Sequence, residues 1–180
     1  MKIILAIFIA VISLVTQPEN THAQELTVKS IQDDLKVKSP RKVVSSLYND
    51  REKWNILLRN IVSGDIEWLK IAVSLHKGSD AHASESLCLA TGEALEHNPE
   101  NVFKLTLDGF RIYEICSGID VDDIRYDLYE LSIEGINKRI KKVSAIKDKN
   151  LQDKCNECLR YLSEDKKHVA RFYQVDKTSP

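Results

Sequence analysis

The chain has 180 residues, with 26 Lys and Arg against 27 Asp and Glu, for a formal net charge of -1. A balance this close to neutral leaves no electrostatic footprint for nucleic acid or for an anionic membrane surface. The length suits one domain, and the scarce glycines and prolines (6 and 4) fall mostly where helices should stop or start.

The chain opens "MKIILAIFIAVISLVTQPENTHAQE". Lys2 is a short basic start, Ile3 to Val15 is apolar except for Ser13, Pro18 and Asn20 break the helix, and Thr21-His22-Ala23 offers small residues before a cut. That layout predicts a secretory signal peptide over 1–23, cleaved after Ala23. The apolar run falls short of the about 20 residues a spanning helix needs, and no Cys follows it to carry a lipid. The expected mature chain starts at Gln24, keeps the charge balance because Lys2 and Glu19 leave together, and carries no second apolar run. Export would place it in the periplasm or outside the cell, where four cysteines become plausible disulfide partners.

Residues 24–40 are polar with short alternations (Leu26 and Val28, Leu35 and Val37) and end at Pro40. They predict a loosely attached arm or a weak helix. From Arg41 the period turns helical. "RKVVSSLYND" is a short helix, and Asp50 caps a second whose Trp54, Leu57, Leu58, Ile61 and Val62 form one apolar stripe. Gly64 closes it in a left-handed turn. Asp65 starts the next helix, with Ile66, Leu69, Ala72 and Val73 inward and Trp68, Ile71 and Leu75 widening the face; Gly78 ends it.

A helix over 79–97 follows, capped by Ser79 or Asp80, with Leu87, Ala90, Thr91, Ala94 and Leu95 buried. Asn98-Pro99-Glu100 restarts the chain into a helix to about Leu107, and "FRIYEICSG" gives one or two turns. The longest predicted helix covers 120–146. Its stripe runs Ile124, Leu128, Leu131, Ile136, Ile140 and Val143, with Asp120, Asp122 and Asp123 at the start and Lys138, Arg139, Lys141 and Lys142 near the end, as the helix dipole favours. Gly135 inside it predicts a close approach. Asp148 caps a last helix with Leu151, Cys155, Cys158, Leu159, Leu162, Val169 and Phe172 on one side, and 176–180 read as a disordered tail. The expected architecture over 41–175 is all-α with about seven helices. The pairs 51–62 with 65–75 and 79–97 with 99–107 suit a helical array, against which a compact irregular bundle competes.

Cys155-x-x-Cys158 raises a redox reading, but a reactive pair needs its first sulfur at a helix N-terminus. Cys155 falls nearly two turns in, on the apolar stripe, so structural bonds to Cys88 and Cys116 are expected. A bond between Cys155 and Cys158 would constrain almost nothing. Each long-range bond is worth about 3–5 kcal/mol in the chain-entropy picture. The favoured bond is Cys116–Cys158, because Cys116 ends a short helix near a turn; Cys88–Cys155 would follow.

Ser79, Asp80, His82, Ser84 and Glu85 crowd one helix start. They define a candidate ligand or partner site at a positive helix end, although capping alone accounts for much of that composition. His76, His82, His97 and His168 lack paired metal-ligand spacing. "DVDDIRYD" lacks the glycine and closing glutamate of a calcium loop. No nucleophile elbow, P-loop or dinucleotide fingerprint is present, so neither cofactor nor metal is implied.

Gly64-Asp65, Trp68-Leu69, Ala72, Leu75, Gly78-Ser79-Asp80-Ala81, Ser84-Glu85 and Leu87, extended more weakly through "NPENVF" and "ICSG" to "CLRYL", give a pattern that resembles a family of small exported all-helical bacterial proteins of unknown function. The resemblance covers most of the mature chain. It implies pairing of Cys116 with Cys158, leaves Cys88 and Cys155 as extras, and carries no catalytic residue. The expected function is a non-enzymatic periplasmic domain that binds another protein, for instance an immunity or inhibitor protein against a periplasm-acting toxin. A thiol–disulfide protein using Cys155 and Cys158, or a small-ligand binder at 79–85, are the rivals. Neither nucleic acid nor stable membrane insertion is expected.

Overall fold

The computed structural model describes residues 26–105, 109–117 and 129–176. The expected leader, the segment "DVDDIRYD" and the last four residues lie outside them. Nine α-helices and no strand occur among the described residues: α1 Val28–Val37, α2 Pro40–Asn49, α3 Arg51–Val62, α4 Ile66–His76, α5 Ala81–Glu93, α6 Pro99–Leu105, α7 Ile112–Cys116, α8 Tyr129–Ser144 and α9 Gln152–Asp176.

Most boundaries follow from short polar side chains at the helix starts. Asp50 accepts from the Lys53 amide, Asp65 from those of Glu67 and Trp68, and Asp80 from that of Ala83. Each cap satisfies an amide with no partner inside its helix. Gly64 takes φ +73° between α3 and α4, a conformation that costs other residues more. Asp148 caps a 3-10 turn, Lys149–Leu151, rather than α9 directly. The helix expected over 79–97 ends earlier, tightening into a 3-10 turn at Ala94–Glu96.

The segment before Pro40 takes the helical alternative. Thr27 and Ser30 form a reciprocal capping box, and α1 buries Ile31 against α4 and α2. That helix is one of the nine among the described residues, against about seven expected. On α4 the stripe is rotated from the one read in the sequence. Leu69, Ile71, Ala72 and Leu75 are buried, whereas Ile66 is 41% exposed.

Packing follows a two-layer pattern. Helices α3, α5, α7 and α9 contact one another in succession, and α2, α4, α6 and α8 do the same. The α3–α4 pair therefore stacks on the following helices as repeat units do, although no sequence repeat marks them. Leu57, Ile61, Leu69, Leu75, Leu87, Leu95, Phe103, Ile115 and Leu162 close the core between the layers. Each buried side chain of this size contributes about 1.5–3 kcal/mol.

Cys116 and Cys158 form a disulfide, S–S 2.08 Å, that ties α7 to α9. The further bond expected between Cys88 and Cys155 is not made; both are free thiols. Helix phase is the reason. Cys155 lies one turn before Cys158 and looks toward the charges of Glu100 and Asp148, while Cys88 on α5 looks toward His76 on α4 and Glu114 on α7.

Arg139, expected on the solvated basic end of α8, is buried beside Glu96 at 3.4 Å. Asp165 on α9 completes this polar interior, and its Oδ2 has no hydrogen-bond partner among the described residues. Burial pushes the Asp165 carboxyl up to about 6, against a partial counter-effect from Arg139 and His168. A folded-state pKa above the ordinary 3.8 makes the ionised form a burden on the fold. The contribution of Asp165 to stability should fall as pH rises from about 4 to 6, then level off. Asp165→Asn should raise the unfolding free energy at pH 7.5 by about 1–2 kcal/mol, a figure reduced for partial solvent screening, and should flatten that pH dependence. Urea titrations at pH 4, 5, 6 and 7.5 check it; an unchanged or lower midpoint at pH 7.5 would show that Asp165 serves the fold as an anion.

Candidate functional site

The turn Lys77–Asp80 separates two polar features. On one side lies a cleft of about 700 Å³. One wall is α2, contributing Arg41, Val44, Ser45, Tyr48 and Asn49; the other is Lys77, Gly78, Ser79, Asp80 and Ala83. Its floor is fixed by contact between backbones: a Cβ on Gly78 would stand 2.3 Å from the Arg41 amide nitrogen. The rim carries two cations, Arg41 and Lys77, which form no ion pair among the described residues, and Asp80 as its acid. Tyr48 is 41% exposed and sits edge-on to Trp54 at 5.2 Å.

The five residues predicted at this helix start separate. Ser79 and Asp80 line the cleft but are engaged locally: Ser79 Oγ donates to the His76 carbonyl at 2.8 Å, and Asp80 Oδ1 accepts from the Ala83 amide at 3.1 Å. His82 and Glu85 are exposed on the outer face of α5. Ser84 turns the other way, placing Oγ 2.8 Å from His76 Nε2.

That contact opens the second feature. His76 ends α4, Cys88 lies four residues after Ser84 on the same face of α5, and Glu114 comes from α7. One donor atom from each of the three falls within 4.8 Å of the others, and all three residues are partly buried. His76 Nε2 is 3.7 Å from Cys88 Sγ, and its ring packs on Phe110 with centroids 4.2 Å apart. Arg111 holds Glu114: Nε and Nη2 donate to Oε1 at 2.9 and 2.6 Å, and the Arg111 amide donates to Oε2 at 2.8 Å. Burial pushes the Glu114 carboxyl up, but the Arg111 bonds outweigh it and leave the group below its usual range. Burial and the Glu114 charge together push the Cys88 thiol up to about 11, so free Cys88 is a protonated thiol rather than an activated nucleophile.

The Cys155-x-x-Cys158 stretch offers no comparable chemistry. Cys158 is bonded to Cys116, and burial raises the Cys155 thiol in the body of a helix. His97 and His168 are exposed and apart from this cluster. Sequence spacing could not have found it, because its members are 12 and 26 residues apart on three helices, and only their packing brings them together.

Comparison with protein families, with curated proteins and with solved structures finds no match for this chain. No helix among the described residues is long and apolar enough to cross a membrane.

Proposed function

We propose that this chain is a non-enzymatic exported binding domain of the periplasm that takes a segment of another protein into the cleft between α2 and the start of α5. Membership among small exported helical bacterial proteins, and a role as an immunity or inhibitor protein against a periplasm-acting toxin, are the concrete form of this reading. The observation that carries it is the cleft rim, where Arg41 and Lys77 stand without ionic partners among the described residues, beside exposed Tyr48. Two cations and an aromatic side chain on one rim suit a partner that presents an acidic residue next to an apolar one, since Tyr and Arg anchor protein interfaces out of proportion to their number. A stacked helical array that holds such a rim rigid supports the same reading.

The mature chain, immobilised and exposed to periplasmic extract, should retain a partner in stoichiometric amount. Arg41→Glu combined with Lys77→Glu should reduce that retention at least ten-fold, with helical content and melting temperature unchanged. Retention that ignores the charge reversal removes the cleft from the reading, and failure to recover any partner removes the reading itself. The small-ligand alternative shares the cleft and differs in readout: an anionic metabolite would raise the melting temperature of the isolated protein, and Lys77→Glu would cancel the rise.

A further inference from the structure

We propose that His76, Cys88 and Glu114 form a binding site for a divalent transition-metal ion of the zinc class, with the Ser84 hydroxyl or a water molecule as fourth donor. The site lies across the α4–α5 turn from the cleft and does not depend on it.

Three observations carry the proposal. The donor set is the first: imidazole nitrogen, thiol sulfur and carboxylate oxygen together suit zinc-like ions, whereas calcium and magnesium take oxygen alone. Geometry is the second. Tetrahedral zinc with ordinary bond lengths separates a nitrogen and a sulfur donor by about 3.6 Å, and His76 Nε2 lies 3.7 Å from Cys88 Sγ. The Glu114 side chain, 18% exposed, reaches the pair from α7, with all three donor atoms inside 4.8 Å. The third observation is the way the ligands are held. Phe110 packs against the His76 ring at a tilt of 34°, and Arg111 grips the Glu114 carboxylate by three hydrogen bonds. Oε1 takes three donors, Arg111 Nε and Nη2 and the Tyr113 hydroxyl at 3.4 Å, whereas Oε2 takes only the Arg111 amide. With about two lone-pair positions per oxygen, one on Oε2 remains for an ion, and Arg111 becomes the outer partner that orients a ligand. The disulfide at Cys116 anchors α7 two residues beyond Glu114.

The same residues suggest a competing use, a Cys88 nucleophile with His76 as base. Glu114 decides between them. A carboxylate beside a sulfur opposes a free thiolate, whereas a dication between the two draws on both charges. On binding, the Cys88 thiol loses its proton to solvent, the sulfur bonds the metal, and no electron changes hands.

Cobalt(II) added to the full mature chain without thiol reductant, so that Cys116–Cys158 stays intact, tests the site. We expect one ion bound per chain, a thiolate-to-cobalt charge-transfer band with tetrahedral visible bands, and displacement by zinc. Cys88→Ser should abolish the charge-transfer band, His76→Gln should weaken binding at least about 100-fold, and Cys155→Ser should leave both unchanged. A band that survives in Cys88→Ser or disappears in Cys155→Ser overturns the proposal, as does the absence of any band. Should a variant fail to fold, the unmodified chain still decides the matter. With zinc saturating, a thiol reagent followed by peptide mass analysis should find Cys88 protected, and labelling of Cys88 at its metal-free rate overturns the site.

Discussion

Replacing Cys116 and Cys158 together with serine should lower the unfolding free energy by about 4 kcal/mol. The bond closes a separation of 42 residues, and the chain-entropy relation for a loop of that length returns this figure. Such a loss takes a large share of the 5–15 kcal/mol typical of a native domain. It should also fall unevenly. Helix α7 has only five residues, too few to be stable alone, and its seat consists of α5 on one side and the bond to α9 on the other. Local opening of α7 should therefore precede global unfolding in the double variant, visible as faster amide exchange over 112–117 than in α3 or α4. Single replacement of Cys155 or Cys88 by serine should cost far less, because neither thiol is bonded. Paired urea titrations with and without reductant check the assignment: a change below about 1 kcal/mol on loss of the bond would mean that it does not support the native state.

Gly92→Ala should also destabilise the protein substantially. Alanine favours a helix interior over glycine by about 1 kcal/mol, so propensity alone predicts a gain. The contact reverses the sign. An added Cβ would stand 2.5 Å from the Ile115 carbonyl oxygen, a backbone atom of α7 that no rotamer change can move. Helices α5 and α7 would have to separate, at a net cost of about 2–3 kcal/mol. Gly135→Ala is the matched comparison. There the nearest atom is the end of the Glu96 side chain at 3.4 Å, and the propensity gain should survive as a stabilisation of up to about 1 kcal/mol. Thermal melts of the two variants should move in opposite directions. Because α7 carries Glu114, Gly92→Ala should also weaken cobalt binding in a protein that is still folded at low temperature. Melts that move together would show that the α5–α7 crossing tolerates a methyl group.

Both results concern α7, the element least legible in the sequence. "FRIYEICSG" carries no long stripe; the sequence marks one or two turns and Cys116 as the favoured partner of Cys158, and the Gly92 contact adds how closely α5 approaches. The polar interior around Arg139 was similarly hidden. A basic residue near the end of a long helix reads as a solvated partner of the helix dipole, and only the approach of Glu96 and Asp165 makes it an interior charge. Ile66 failed for a related reason: the 3.6-residue period fixes which residues share a face, but where that face ends depends on the neighbouring helices.

The chain by itself determined the helices and their caps, since Asp50, Asp65, Asp80 and Gly64 act within a few residues of their own position, where backbone sterics and unpaired amides decide the outcome. It also marked the buried stripe of α9 that holds Cys155 and Cys158. The tertiary structure alone decided that the helices stack as a two-layer array, that Cys88 and Cys155 stay apart as free thiols, and that His76, Cys88 and Glu114 converge. Those outcomes depend on the rotation and crossing of whole helices, to which many weak contacts distributed along the chain contribute, and no local spacing encodes their sum.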